Sequence, residues 1–375
     1  MYNKIIIVVP REFSEKEYIK NSIKDIIQKK IKIEIWIIKK LLNPKSQIDK
    51  KLLYSDKDLN FKIIDDSRQL NSYLINEKST TLFDLRLKLD FKNLNFFYEF
   101  FSCNFDFITH PGLTLRKFNL EYIVYLKLKN FLIYLIFLIK GKTLKYSKYV
   151  YIIGDKADLI SSFLINSKSI FIKGHHADYD RFLESKKEML PLQKNYFVFI
   201  DQNVPLHQDL VEMSKNDINE KNYYTSIKSF LEKTKKKYNL DYYISPHPRS
   251  NISQLKNYFG SQISKMNTLE TIKNSKFVIC HDSTASNFAF LFNKPIISIY
   301  DNELASSKYN HLKEIKRFCK RTNASLLNIH EDQIKATDLI ISESEYKNFI
   351  KKYIKCHNED KKRVDILKEK INFYE

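Results

Sequence analysis

Along the chain, short runs of Ile, Val, Tyr and Phe alternate with longer charged stretches whose apolar residues recur at helical spacing. That alternation predicts βα units built around a parallel sheet. KIIIVV precedes a helical pattern from about Ser14 to Lys30, KIEIWII follows it, and NFKIID leads into a further helical segment. FDFITHPGLTL (105–115) reads as a strand and then a turn at Pro111 and Gly112. KYVYIIGDKADLISSFLI and SIFIKGHHADYDRF form another strand–helix–strand passage, after which the pattern breaks. ESKKEMLPLQKN (184–195) is a charged linker with one proline, and strand-like periodicity restarts at YFVFIDQNVPLHQD (196–209). With 375 residues the chain exceeds the size at which a single core stops growing. The reading is an N-terminal α/β domain over 1–190, a second over 195–330, and a charged helical tail over 331–375.

Two stretches stand out against this background. TLETIKNSKFVICHDSTASNFAFLFNKPIISIY (268–300) reads as a compact βαβ unit. It holds a helix, a strand Phe277–Cys280, a hydroxyl-rich loop, a helix through Phe292, a turn at Asn293–Pro295 and a strand Ile296–Tyr300. FNLEYIVYLKLKNFLIYLIFLIKGK is the most apolar segment, framed by Lys127, Lys129 and Lys140. Its longest uncharged run, Asn130–Ile139, falls well short of the ~18–20 residues that span a bilayer. It fits either a buried helix or one lying in a membrane interface.

Composition narrows the function classes. The net charge of +20 comes mostly from lysine, with only nine arginines among 64 basic residues. Nucleic-acid binders concentrate charge on one face, often with Arg at base-reading positions, so no specific nucleic-acid partner is expected. A scattered basic surface suits anionic lipid or anionic substrates better. Cys103, Cys280, Cys319 and Cys356 are far apart and form no CxxC pair, which fits a reducing cytoplasm. MYNKIIIVVPREF has too short an apolar run for a signal peptide, so a cytoplasmic protein is expected. Five glycines provide neither a GxxxxGK[ST] nor a GxGxxG motif. Any phosphate bound here must be held by something other than a glycine cradle.

HDSTASN (281–287) supplies that alternative. Ser283, Thr284 and Ser286 fall where a strand ends and a helix begins, with unpaired N–H groups nearby. The same residues are also ordinary helix caps, but three hydroxyls in four positions at a strand's carboxyl end favour a ligand site. SPHPRS (245–250) also follows a strand in this half of the chain. Its two prolines stiffen the backbone around His247, so an imidazole and the Arg249 guanidinium can be held towards a phosphate. Asp201 and Gln202 open the second domain's first loop and are candidates for donor contact. In the N-terminal half, His175, His176 and Asp178 cluster at a strand end and include candidates for a general base. His110, in ITHPG, is a candidate for acceptor binding or catalysis. No metal site is expected, since the sequence offers no DxD in a convincing loop, DYD (178–180) included.

SPHPRS together with CHDSTASNFAFLFNKPIISI resembles the C-terminal domain of bacterial GT-B-fold glycosyltransferases that use CMP-activated acidic sugars, the sialyltransferases and Kdo transferases. The resemblance covers about 195–300. It implies two Rossmann-like α/β domains facing a cleft, with His247 and Ser283–Thr284 on the donor phosphate. It further implies inverting, metal-independent transfer with no cofactor beyond the CMP-sugar substrate. The acceptor would be a surface glycan, free or lipid-linked, reached at the inner face of the cytoplasmic membrane. The sialyltransferases' acidic Asp/Glu-Asp-Gly motif is absent, and IIDDS (63–67) is an imperfect echo of it. CDP-glycerol-type polyol phosphotransferases have a similar His-Pro and Ser-loop arrangement, and UDP-sugar transferases are a third class.

Overall fold

A computed structural model describes residues 1–20, 22–49, 53–54, 57, 59–110, 120–154, 164–186, 195–207, 210, 217–356 and 360–373. The turn at 111–112, the helix expected after Gly154 and most of the 184–195 linker lie outside these residues. The chain forms two compact units, Met1–Asp180 with Lys355–Glu375, and Arg181–Ile354.

The first unit is a seven-stranded, wholly parallel sheet. Its strands are β1 (Lys4–Val9), β2 (Lys32–Ile37), β3 (Asn60–Ile63), β4 (Thr81–Leu85), β5 (Asp106–Thr109), β6 (Tyr149–Ile153) and β7 (Ile170–Gly174), in the order β3-β2-β1-β4-β5-β6-β7. The near-continuous Ile and Val runs of β1 and β2 follow from burial on both faces of a parallel sheet. One core contains Ile5, Ile7 and Ile35, the other Trp36, Phe83 and Phe100. The order reverses between β1 and β4, and open α/β sheets bind ligands outside the strand ends at such a point.

The second unit is a five-stranded parallel sheet of β8 (Tyr196–Ile200), β9 (Asp241–Ser245), β10 (Val278–Cys280), β11 (Ile296–Tyr300) and β12 (Ser325–Asn328). Their order is β12-β11-β10-β8-β9, so β8 lies between β10 and β9 and the reversal falls between β8 and β10. Each unit is a Rossmann-like α/β layer structure, as the sequence predicts.

The domain limits differ from the expected ones. The division falls inside the helix Ala177–Lys186, and the C-terminal segment is not a separate tail. The helix Glu343–Tyr353 buries Tyr346 and Phe349 in the second unit, where Phe349 stacks on Phe290 at 4.0 Å. The last segment belongs to the first unit. The Tyr2 N–H donates to the Asn372 carbonyl at 2.8 Å, and the Arg363 guanidinium meets Asp180 at 2.8 Å. A charged sequence conceals these apolar faces, because each helix has only two or three residues to bury.

The apolar segment is a helix, Leu120–Ile139, that is only partly buried. Ile133 and Phe137 enter the core, while Leu128, Phe131 and Ile139 are exposed.

Candidate functional site

In the second unit the chain leaves β8 at Asp201 and Gln202, and each side chain ties down a different neighbour. Asp201 is 1% exposed, and its N–H donates to the Ser245 carbonyl at 3.0 Å. Its carboxylate accepts from the Asn203 N–H at 3.0 Å, the Ser250 hydroxyl at 3.1 Å and the His247 N–H. Burial pushes this carboxyl up to about 6, against the pull of those donors. Gln202 works on the other side. Its Oε1 accepts the N–H groups of His281 and Asp282, each at 3.1 Å, and its Nε2 donates to Asp282 Oδ1 at 2.9 Å. The β9 and β10 loops are thus both moored to the end of β8.

Those loops carry the residues singled out in the sequence. His247 Nδ1 accepts the Arg249 N–H at 3.2 Å, which leaves the ring proton on Nε2 as a donor. Arg249 itself is exposed. In the β10 loop, Ser283 Oγ accepts the Ala285 N–H at 3.3 Å, Ser283 is half-buried and Thr284 exposed. Ser286 is buried and donates to the Ser283 carbonyl at 2.7 Å, so it shapes the turn and is not available to a ligand. The helix that follows, Asn287–Leu291, is five residues long and has little dipole. The expected helix-terminus site therefore becomes a site of hydroxyls and one imidazole. Asp201 and Gln202, expected to touch the donor, instead position the loops that would.

Two residues of this site were missed. His207, from the β8 loop, places its ring 5.9 Å from that of His247. Its Nδ1 is buried with no hydrogen-bond partner among the described residues. His281 is buried beneath the β10 loop, its Nε2 accepting a hydrogen bond from the Tyr223 hydroxyl at 2.7 Å and its Nδ1 donating to the Ile299 carbonyl at 2.6 Å. The PLH of DQNVPLHQD was the available signal for His207, a second Pro-flanked His at a strand end.

In the first unit the expected base candidates separate. His175 is fully buried, and its Nδ1 accepts the Cys356 N–H at 3.2 Å. Gly174 before it has no room for a side chain, since a Cβ would lie 2.1 Å from the Tyr151 hydroxyl. His175 is thus a packing residue that receives the returning C-terminal segment, which corrects its assignment as a base. His176 Nδ1 lies 3.1 Å from Asp178 Oδ2 and accepts the Asp178 N–H, closing the first turn of the helix Ala177–Lys186. The second Asp of DYD, Asp180, is 3% exposed and is held by Arg363 and the Ser22 hydroxyl. Asp66 of IIDDS caps the helix Ser67–Ile75 through the N–H groups of Arg68 and Gln69. No group of three or more metal-ligating side chains occurs among the described residues.

His110 has the geometry those residues lack. It follows β5, and its Nε2 lies 2.7 Å from Asp84 Oδ1 on the neighbouring β4. Arg86 Nη2 meets the other oxygen of Asp84 at 2.6 Å. Burial alone would raise the Asp84 carboxyl, but Arg86 and His110 outweigh it and hold the group well below the usual carboxylate range. Burial, with Arg86 second, pushes His110 below its ordinary value despite Asp84. A neutral His110 that gives its Nε2 proton to Asp84 keeps Nδ1 as an acceptor. The ring lines a cavity of about 390 Å³ at the β1/β4 reversal, with Arg11, Arg86, Lys88 and Glu17.

No protein-family model matches the chain, and no curated protein matches it. Among solved structures, the H444N variant of the wall teichoic acid polymerase TagF is similar at a TM-score of 0.51 and 10% identity, over 95% of this chain and 85% of that one. The S. aureus MnaA-UDP co-structure gives 0.49 at 13% identity, over 94% and 92%. The UDP-GlcNAc 2-epimerase from Methanocaldococcus jannaschii gives 0.42 at 14%, over 93% and 98%. The TagF likeness bears on fold alone, and it agrees with the GT-B class of paired parallel-sheet units that the sequence predicts.

Proposed function

We propose that this chain is a glycosyltransferase that moves an acidic sugar, a nonulosonic acid or Kdo, from its CMP conjugate to a hydroxyl of a surface glycan. The observation that carries the reading is the mooring of two loops, by Asp201 and Gln202, to the strand at the sheet reversal. It preorganises His247 Nε2–H and the hydroxyls of Ser283 and Thr284 as donors for one anion. Arg249 meets the sugar carboxylate or the phosphate. His110 takes the acceptor's proton on Nδ1, and Asp84 steadies the imidazolium that results. The acceptor oxygen forms the new bond to the anomeric carbon as the bond to the CMP oxygen breaks. CMP leaves with that electron pair. Donor binding and proton removal both use side chains of this chain, and no metal is assigned a role.

A second donor class has its own support. The chain shares its fold with a wall teichoic acid polymerase, which makes a CDP-activated polyol phosphate the alternative to test. Thermal stabilisation by CMP, CDP and UDP, repeated with His247→Ala, separates the readings, because a ligand of the native state raises the Tm by mass action. A shift selective for CMP and reduced in the variant supports the acidic-sugar transferase. A larger response to CDP transfers the reading to the phosphotransferase. No response to any of the three overturns the phosphate site.

A further inference from the structure

The helix Leu120–Ile139 has its two faces in different surroundings. On the inner side Ile133 and Phe137 are 0% and 1% exposed, and Phe137 packs on Tyr98 with ring centroids 4.6 Å apart. Lys129 pairs with Asp90 at 2.7 Å, and Lys140 lies over the Tyr98 ring at 4.6 Å, fixing the helix to the first unit. On the outer side Val124, Leu128, Phe131, Leu132 and Leu138 are between 43% and 56% exposed, and Ile139 is 84% exposed. At 100° per residue these positions form one arc of about 120°. Scattered exposed apolar residues are ordinary, but a contiguous stripe of this length on one helix marks an interaction surface.

The borders of the stripe identify its occupant. Lys127 and Tyr134 lie along one edge and Lys140 along the other, while Lys129 is spent on Asp90. An apolar stripe with a long cationic side chain at each edge and tyrosines beside it is the pattern of a helix lying in a membrane interface. No described helix is long and apolar enough to cross a membrane, so the helix would lie along the surface. A second copy of the chain is the poorer match. Pairing two such helices would bring lysine borders together on molecules of net charge +20. An anionic bilayer complements both the stripe and its borders.

We infer that Leu120–Ile139 is a membrane-docking helix that seats the first unit on an anionic phospholipid surface. Leu128 and Phe131 enter the acyl boundary, and the bordering lysines remain at the headgroups. This inference stands apart from the choice of donor.

The test is flotation of the full chain with vesicles of phosphatidylcholine alone, or mixed with phosphatidylglycerol. The wild-type chain is expected to float with the mixed vesicles, to partition at least tenfold less onto the neutral ones, and to be released by salt. Leu128→Ser combined with Phe131→Ser should lower partitioning by about a hundredfold, with Tm and circular dichroism unchanged. Lys127→Glu, on an exposed position outside the core, should lower it by about tenfold. The inference is overturned if the wild type stays at the bottom with both vesicles, or if the substitutions leave partitioning unchanged. It is overturned equally if Leu128→Ser with Phe131→Ser converts a solution dimer to monomers without affecting flotation.

Discussion

The two sheet reversals in this chain are built from opposite chemistry. At β8/β10 two carboxyls are held by uncharged donors, Asp201 by the Asn203 N–H and the Ser250 hydroxyl, and Asp282 by Gln202, which also accepts the backbone N–H groups of His281 and Asp282. At β1/β4 a charged pair is in direct contact with an imidazole, Arg86 to Asp84 to His110. Uncharged donors hold the loop geometry with no basic side chain in the mooring, which suits a site that must receive an anion and release it. A buried ion pair with an imidazole attached suits holding and accepting a proton. On the proposed reading the nucleotide belongs to one unit and proton handling to the other. The substitutions below would break that division.

The largest effect is expected at His110. Replacing it with Gln keeps a polar side chain but removes the acceptor nitrogen, and turnover should fall about 100- to 10,000-fold. The Tm shift produced by CMP should remain, because the nucleotide site is elsewhere in the chain. Loss of both would join the two sites and end the division. The pH profile gives a second test. Because His110 is held below its ordinary value, its neutral form persists to lower pH, and the acid limb of kcat should lie below the usual histidine range.

Next comes Asp201, whose signature is stability. Its folded carboxyl is raised to about 6 from 3.8, so the folded state holds this proton more tightly than the unfolded one. The associated stability is fully present below the unfolded value and is lost as pH rises through about 6. Urea unfolding on both sides of that window should show wild type losing up to about 3 kcal/mol relative to Asp201→Asn as pH rises. A pH-independent difference would mean that Asp201 is already ionised throughout, and that the mooring is stronger than its burial suggests.

Much of the fold was legible because it depends on composition over short windows. KIIIVV, KIEIWII and YFVFI are strands by residue type alone, and the unit at 268–300 follows from its turn residues. The site was legible where a loop's own chemistry stands out, as in SPHPRS and HDSTASN. It was not legible where a role depends on which strands are neighbours. Asp201 and Gln202 moor two loops only because β8 lies between β9 and β10, an order that no local pattern encodes. Asp84 and His110 are 26 positions apart and meet only because β4 pairs with β5. One signal was present and unused. Asp84 lies in TLFDL, where a carboxylate in a fully buried strand requires a charged partner. Ser286 misled for the converse reason, since a hydroxyl in a ligand-like loop can be spent on the loop itself.

A moderate effect is expected from Gln202→Ala, which frees the Asp282 side chain and leaves two backbone N–H groups without their acceptor. Nucleotide affinity should fall about tenfold, and the Tm of the free protein should fall as well, since the His281 N–H is buried and loses its acceptor. Equal affinity in the variant would mean that the β10 loop holds its shape unaided.

The smallest effect, and the one that most sharpens the picture, is at His207. Its buried Nδ1 has no hydrogen-bond partner among the described residues, and its ring lies 5.9 Å from His247. A polar nitrogen in that position costs stability unless a ligand or a water satisfies it. His207→Ala should therefore weaken nucleotide binding by about fivefold while leaving the free protein equally or slightly more stable. His207→Phe retains the ring and removes the nitrogen, so it separates packing against His247 from hydrogen bonding. If Phe restores affinity, the ring acts by positioning His247. If it does not, the nitrogen itself belongs to the anion site, which then has two imidazoles, on the loops after β8 and β9, in place of one.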